Sequence, residues 1–191
     1  MVPEAVTQQF RAPIEAVPPH VPRPLWSVMI PTYHCADHLR ETLTRVLAQD
    51  PGPTVMQIEV VDDCSTRDDP EAVVREVGEG RVAFFRQERN VGHTRNFDTC
   101  LQRSRGQLVH VLHGDDYVLD GFYRTMATPF TRHPEIGAAF CRNVFIQEDG
   151  RTFATSRLLH REPGIMEDWL ERIATRQLLQ PPAMVVRRSV Y

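Results

Sequence analysis

No stretch of this chain comes near the roughly 18 uninterrupted apolar residues that a membrane-crossing helix needs, so no transmembrane segment is expected. The N-terminus carries Glu4, Gln8, Gln9 and Arg11 where a secretory signal would place an apolar block, which argues against export by that route. Cysteines are few and far apart. Cys35, Cys64, Cys100 and Cys141 form no CxxC pair, so neither a zinc site nor a disulfide framework is expected. They read as reduced thiols, small and structural. A basic block is missing too. Lys plus Arg is 22 and Asp plus Glu is 25, for a formal net charge of -3, which leaves no electrostatic footprint for nucleic acid. A Gly-rich phosphate loop is also absent: the first strand runs into Pro31-Thr32-Tyr33, which excludes the dinucleotide fingerprint and the P-loop. The expected location is cytoplasmic, at most peripheral to the inner face of a membrane.

What remains is an ordinary globular composition, 41% hydrophobic over 191 residues, enough for one domain with a real core. Residues 1–24 hold Pro3, Pro13, Pro18, Pro19, Pro22 and Pro24 without periodicity, and read as a flexible Pro-rich arm ahead of a domain over 25–191. From Leu25 onwards strands and helices alternate. "LWSVMI" is a first strand, ended by Pro31. Asp37 to Gln49 has Leu39, Leu43, Val46 and Leu47 on one helical face. "QIEVVDD" is a second strand, and the helix after it is capped by Ser65 or Asp69, with Pro70 in its first turn. "RVAFFRQ" is a third strand, Thr94 to Arg103 a third helix and "QLVHVLH" a fourth strand. A helix over Gly121 to Arg132, entered through Asp120, precedes strands in "IGAAFC" and "NVFIQEDGRTF", with a hairpin turn at Glu148-Asp149-Gly150. Ile165 to Leu179 has amphipathic helical spacing, and "AMVVRR" is a last strand.

Such alternation predicts an α/β fold, a doubly wound and mostly parallel sheet with helices on both faces. Ligands of these sheets bind beyond the carboxyl ends of the strands. Three strands end there in polar residues: "PTYHC", "DDCST" and "HGDD". In the last, Asp115 and Asp116 follow an apolar run directly. Adjacent negative charges call for hydration, a cation or a hydrogen-bonding partner. A solvated turn made by Gly114 is the plain alternative. A site that holds phosphates without a Gly-rich loop can recruit a divalent cation through carboxylates. With Tyr33 to stack on a base and Asp63 to accept a hydrogen bond from a base N–H, the rim describes a nucleoside-diphosphate site.

Four segments in order, "SVMIPTYHCADHLRETLTRVLAQ", "IEVVDDCST", "NVGHTRNFDTCLQRSRGQLVHVLHGDD" and "QPPAMVVRRSVY", resemble successive motifs of the family 2 glycosyltransferases, which have the GT-A fold. The resemblance covers about residues 25 to 191. It implies transfer of a sugar from a nucleoside-diphosphate sugar to an acceptor, with inversion, in the biosynthesis of a polysaccharide or related glycan. It places Pro31, Thr32, Tyr33 and Asp63 around base and ribose, and Asn90, Gly92, Arg95 and Asn96 around base and diphosphate. The Asp pair corresponds to the end of the family's acidic metal motif: Asp115 faces ribose and donor sugar, and Asp116 or Asp115 reaches a Mg²⁺ or Mn²⁺ ion. His113 stands at the first acidic place of that motif, and imidazole is a poor ligand for Mg²⁺ and a better one for softer ions. The general base of an inverting transfer is implied to lie beyond the last strand and so beyond Tyr191, with the C-terminal part of the domain outside this chain.

Other residues have plainer readings. Asp62 is the structural member of its pair, bonding loop amides. His110 alternates with Val109 and Val111 and is a core histidine rather than a ligand. His34 and His93 are loop residues near the site. Arg187 or Arg188 either reaches donor phosphates or lies on a solvated edge. Glu167 and Asp168 imitate an acidic catalytic pair but precede the last strand, so Asp168 is a weak candidate base; favouring a helix's first turn is the alternative. The competing functions are a non-catalytic nucleotide-sugar-binding module of the same fold, a nucleotidyltransferase, which lacks its Gly-rich loop, and a metal hydrolase, whose His110 and His113 would face opposite sides of a strand.

Overall fold

The computed structural model describes residues 14–147 and 149–191. β1 (Trp26–Thr32) and β2 (Met56–Asp62) are buried along their whole length. Near-continuous apolar strands of this kind can only lie inside a sheet covered on both faces. β1 pairs parallel with β2 and with β4 (Leu108–Val111), and β2 pairs parallel with β3 (Ala83–Arg86). The sheet is completed by β8 (Met184–Arg187) and β5 (Ala138–Phe140), giving the order β3-β2-β1-β4-β8-β5.

β8 runs antiparallel to both its neighbours, so the sheet is mixed rather than wholly parallel. The cause is the path of the chain. It leaves the sheet at the carboxyl end of β5, makes an excursion through the separate hairpin β6 (Val144–Ile146) and β7 (Thr152–Thr155), and returns to the same rim. A strand entered from the rim must run against those that end there.

Helices cover both faces. One layer joins Val28, Ile30, Ile58 and Val60 of the sheet to Leu39, Leu43 and Val46 of α1 (Ala36–Leu47), Val73 and Val74 of α2 (Pro70–Gly78), and Tyr123, Met126 and Phe130 of α4 (Phe122–Arg132). The opposite layer joins Met29, Val61 and Val109 to Cys100 of α3 (His93–Arg103). Asp69 caps α2 by accepting from the Ala72 amide at 3.1 Å, with Pro70 in the first turn. Gly121, not Asp120, precedes α4, in the left-handed region at φ 79°.

His110 is a core residue. Its ring lies wholly inside, between α4 and the backbone of Pro182, and burial pushes its pKa down to about 4. The neutral ring donates from Nε2 to the Pro182 carbonyl at 2.9 Å, because a carbonyl only accepts, so Nδ1 is left facing the Tyr123 hydroxyl at 3.3 Å.

Two expectations are corrected. The helix expected over Ile165 to Leu179 is reduced to α5 (Trp169–Thr175), which has no buried residue to extend it by packing. Neither arginine of the last strand lies on a solvated edge or is free for phosphates. Arg187 donates to the carbonyls of Ile136 and Phe130, and buried Arg188 donates to those of Ser104 and Glu15. Of the expected arm, residues 14–24 have no helix or strand, and Arg23 donates to the carbonyls of Arg105 and Gly106. The rest of the expected arm, 1–13, and Glu148 of the hairpin turn lie outside the described residues; the turn itself closes from the Gly150 amide to the Gln147 carbonyl at 2.8 Å. Among the described residues no helix is long and apolar enough to cross a membrane.

Candidate active site

The rim is built from the ends of β1, β2 and β4, laced together by backbone bonds. The Asp63 amide donates to the Thr32 carbonyl at 2.9 Å and the Gly114 amide to the Pro31 carbonyl at 3.0 Å. Gly114 is required by this closeness: a Cβ there would sit 2.8 Å from both Cys35 Sγ and Thr32 Oγ1. Those two atoms also meet each other at 2.7 Å, and burial pushes the Cys35 thiol up, which keeps it neutral and able to share that bond.

The two Asp residues at the end of β2 are both buried but serve different partners. Asp62 accepts from the Ser65 amide (3.0 Å), the Ser65 hydroxyl (2.5 Å) and Arg86 Nε (2.7 Å). Ser65 is therefore a loop anchor rather than a helix cap. Asp63 reaches the other way. Its two carboxylate oxygens accept from the amides of Val91 (2.7 Å) and Gly92 (2.9 Å), and Asn90 Nδ2 reaches its carbonyl at 3.3 Å. Asp63 thus fixes the turn that starts α3, where Gly92 has a φ of 84°. Asn96 lies beneath this turn, donating to the Val61 carbonyl and accepting from Gln87, while Arg95 on the same helix is exposed.

Tyr33 is 47% exposed on the rim, with its ring 3.9 Å from that of His34. His34 has a positive φ of 54° and its amide donates to Ser65 Oγ at 2.9 Å. Its Nδ1 lies 3.6 Å from an Asp68 oxygen, whose companion oxygen accepts the Ala36 amide at the start of α1.

His113, Asp115 and Asp116 come together in a turn closed from the Asp116 amide to the His113 carbonyl at 3.1 Å. One ligand atom from each lies within 4.8 Å of the others. An ion with bonds of about 2.1–2.4 Å spans about 4.2–4.8 Å across its coordination shell, so the three fit one cation. His113 Nδ1 is 3.2 Å from an Asp116 oxygen, and its buried Nε2 has no hydrogen-bond partner among the described residues. The ring rests against Phe97, with centroids 5.3 Å apart. Two carboxylates and one imidazole make a donor set that suits Mn²⁺ better than Mg²⁺.

The residue that positions this turn is Thr42 of α1. Its buried hydroxyl donates to the Asp116 carbonyl at 2.7 Å, with the Gly114 carbonyl at 3.1 Å. A signal for it exists in the sequence: Thr42 is the one polar residue on the stripe of Leu39, Leu43 and Val46. Thr42→Val keeps the shape and removes the donor, leaving buried carbonyls unpaired. It is expected to cost about 1–2 kcal/mol, read by urea denaturation, and to weaken cation binding. Unchanged stability would show that the turn holds itself.

Asp168 does not join the rim cluster. It is exposed at the start of α5, and its carboxylate is paired with Arg172 Nε at 2.6 Å.

A mixed sheet with helices on both faces and polar strand ends gathered on one rim fits the GT-A fold that the sequence motifs implied. Comparison with known proteins narrows this: the chain belongs to glycosyl transferase family 2, whose family model matches residues 27–191. A Mycobacterium tuberculosis protein, MT1568, is 35% identical over 88% of this chain and 55% of its own length. The Mycoplasma genitalium protein MG025, named as a glycosyltransferase, is 29% identical over 68% of this chain and 43% of its own. Among solved structures, residues 1–349 of Staphylococcus aureus TarS in complex with UDP-GlcNAc align with a TM-score of 0.66 at 24% identity, covering 86% of this chain and 46% of that one. The mannosyltransferase PcManGT from Pyrobaculum calidifontis, in complex with GDP-Man and Mn²⁺, aligns with a TM-score of 0.56 at 22% identity, over 72% and 41%. The chain spans about half the length of these relatives.

Proposed function

We propose that residues 25–191 form the donor-binding part of a glycosyltransferase that moves a sugar from a nucleoside-diphosphate sugar to an acceptor hydroxyl, with inversion, in the biosynthesis of a polysaccharide or related glycan. The observation that carries this reading is the convergence of His113, Asp115 and Asp116 on the rim that also holds Tyr33 and the Asp63-bound turn. The nucleotide sugars named with TarS and PcManGT support the donor class, and the Mn²⁺ named with PcManGT supports the cation.

Tyr33 offers a face on which a base stacks. Pro31, Thr32 and Asp63 lie below the surface and hold the pocket floor and the Asn90–Gly92 turn in place, so their part is positioning. Arg95, exposed on the first turns of α3, is free to meet the diphosphate. His113, Asp115 and Asp116 hold the divalent cation, which when bound neutralises charge on the diphosphate leaving group. In the transfer, the acceptor oxygen forms its bond to the anomeric carbon as the bond to the diphosphate breaks. The electron pair leaves with the nucleotide, and the hydroxyl proton passes to a base. Asp168, engaged by Arg172, is not assigned that role, and the base is unassigned among the described residues. The free thiols of Cys35, Cys64, Cys100 and Cys141 support a reducing, cytoplasmic setting.

Calorimetric titration with UDP and GDP tests the reading. At least one is expected to bind with Mn²⁺ present and to lose about tenfold in affinity or more (about 1.4 kcal/mol) when a chelator is added. Equal affinity in both conditions removes the cation from the account, and no binding of either nucleotide overturns the donor site.

A further inference from the structure

The sequence has no lysine, so all 22 of its Lys-plus-Arg cations are arginines. Many are engaged within the fold: Arg40 by Glu76, Arg81 by Asp50, Arg86 by Asp62, Arg103 by Glu59 and Arg172 by Asp168. A cavity of about 690 Å³ beside β2, β3 and the end of α3 follows this pattern. Two of its three arginines, Arg81 and Arg103, are neutralised by carboxylates, and Glu59 is itself in the wall beside the third, Arg105.

A second cavity, of about 410 Å³, differs. Arg157 and Arg176 both line it, and neither has a partner among the described residues. Among the described residues no Asp or Glu lines it. Its remaining walls offer hydroxyls and amides from Asn143, Thr155 and Gln177, over an apolar floor that includes Phe145. The walls are built rather than incidental. The Ser156 amide donates to the Asn143 carbonyl at 2.8 Å, the Asn143 amide returns a bond to Ser156 Oγ at 2.9 Å, and Arg172 ties α5 to the Leu159 carbonyl.

The segment that holds this cavity leaves and rejoins the sheet on the donor side. β5 runs in the direction of β4, because both are antiparallel to β8. The excursion over 141–183 therefore leaves and re-enters the sheet at the rim where β1, β2 and β4 end. Two uncompensated guanidinium groups match the planar, bidentate bonding of phosphate oxygens, and the hydroxyls and amides beside them suit a polyol. The donor's own diphosphate is matched by the carboxylate cluster, which would hold a cation; this cavity has no carboxylate among the described residues to hold one.

We infer that this cavity receives an acceptor bearing a phosphate group, held by Arg157 and Arg176. The inference rests on the glycosyltransferase reading, since it names the acceptor class for that donor site. The chemistry shared with free phosphate is phosphate itself, so the experiment compares sources.

The chain is saturated with Mn²⁺ and whichever of UDP and GDP binds it, and titrated separately with glycerol 1-phosphate, glycerol and inorganic phosphate, following the arginine Nε–H signals by NMR. Glycerol 1-phosphate is expected to shift the Arg157 and Arg176 signals and to bind at least about tenfold more tightly than either other probe. In the Arg157→Gln/Arg176→Gln double variant that affinity is expected to fall about tenfold or more. Because neither side chain has an internal partner, the variant is expected to melt with the parent, and a variant that fails to fold is replaced by titration of each single substitution. Inorganic phosphate binding as tightly as glycerol 1-phosphate would overturn the acceptor assignment. So would affinities unchanged in the variants. Failure of both UDP and GDP to bind at the outset would instead overturn the donor reading, a separate result.

Discussion

Replacing Asp115 and Asp116 together by asparagine is expected to lower Mn²⁺-supported nucleotide affinity by on the order of a hundredfold while leaving the melting temperature nearly unchanged. Substitution of residues that merely orient metal ligands costs about 10–100-fold in affinity, so loss of two ligand charges lies at the upper end of that range. Asparagine keeps the volume and one weak oxygen but removes the negative charge on which a hard cation depends. Stability is predicted to hold because the turn is fixed by its backbone, through Thr42 and the Pro31 carbonyl, and not by the two exposed carboxylates. Removing two adjacent like charges even relieves repulsion. Calorimetry of the best-binding nucleotide with and without Mn²⁺, beside a thermal melt, reads both quantities. An unaltered affinity would remove these residues from the donor site, whatever the family.

The second large effect separates the neighbouring acids Asp62 and Asp63. Asp62→Ala is expected to destabilise the protein by about 2–4 kcal/mol. Asp62 is fully buried, and its loss strands the amide and hydroxyl of Ser65. Its third partner, Arg86, is partly exposed and can turn to water, which keeps the cost below that of breaking a fully buried pair. Asp63→Ala is expected to cost less stability, about 1–3 kcal/mol, yet to weaken nucleotide binding about tenfold. The two amides it strands belong to the turn at Val91 and Gly92, so the defect lies under the pocket rather than in the core. Urea denaturation gives the first quantity and calorimetry on the folded fraction the second. An Asp62→Ala protein of normal stability that no longer binds nucleotide would reverse the two roles.

Much of this site was legible in the residues. Alternating apolar runs and helical stripes called for a covered sheet, and polar residues at the ends of three strands marked one rim. Asp62 as a loop anchor and His110 as a core residue follow from their positions in buried strands. Asp63 was less transparent. A carboxylate at a strand end reads as a ligand contact, and each of its oxygens also accepts an amide 28 or 29 residues further on. No local pattern announces such a partner. Thr42 was visible only as a polar residue on an apolar stripe, and its task became clear once α1 was laid against the Gly114–Asp116 turn.

Sequence alone determined the α/β class, the rim and the family motifs, because periodicity, strand-end chemistry and motif order are all local properties. Tertiary structure decided the direction of β8, the length of α5 and the employment of Arg187 and Arg188. It also brought Arg157 and Arg176 to one cavity from opposite sides of α5. Each of these depends on where a chain returns after an excursion, and on which buried carbonyl or charge it must then satisfy. Those conditions arise between residues far apart in sequence and exist only when the fold has closed.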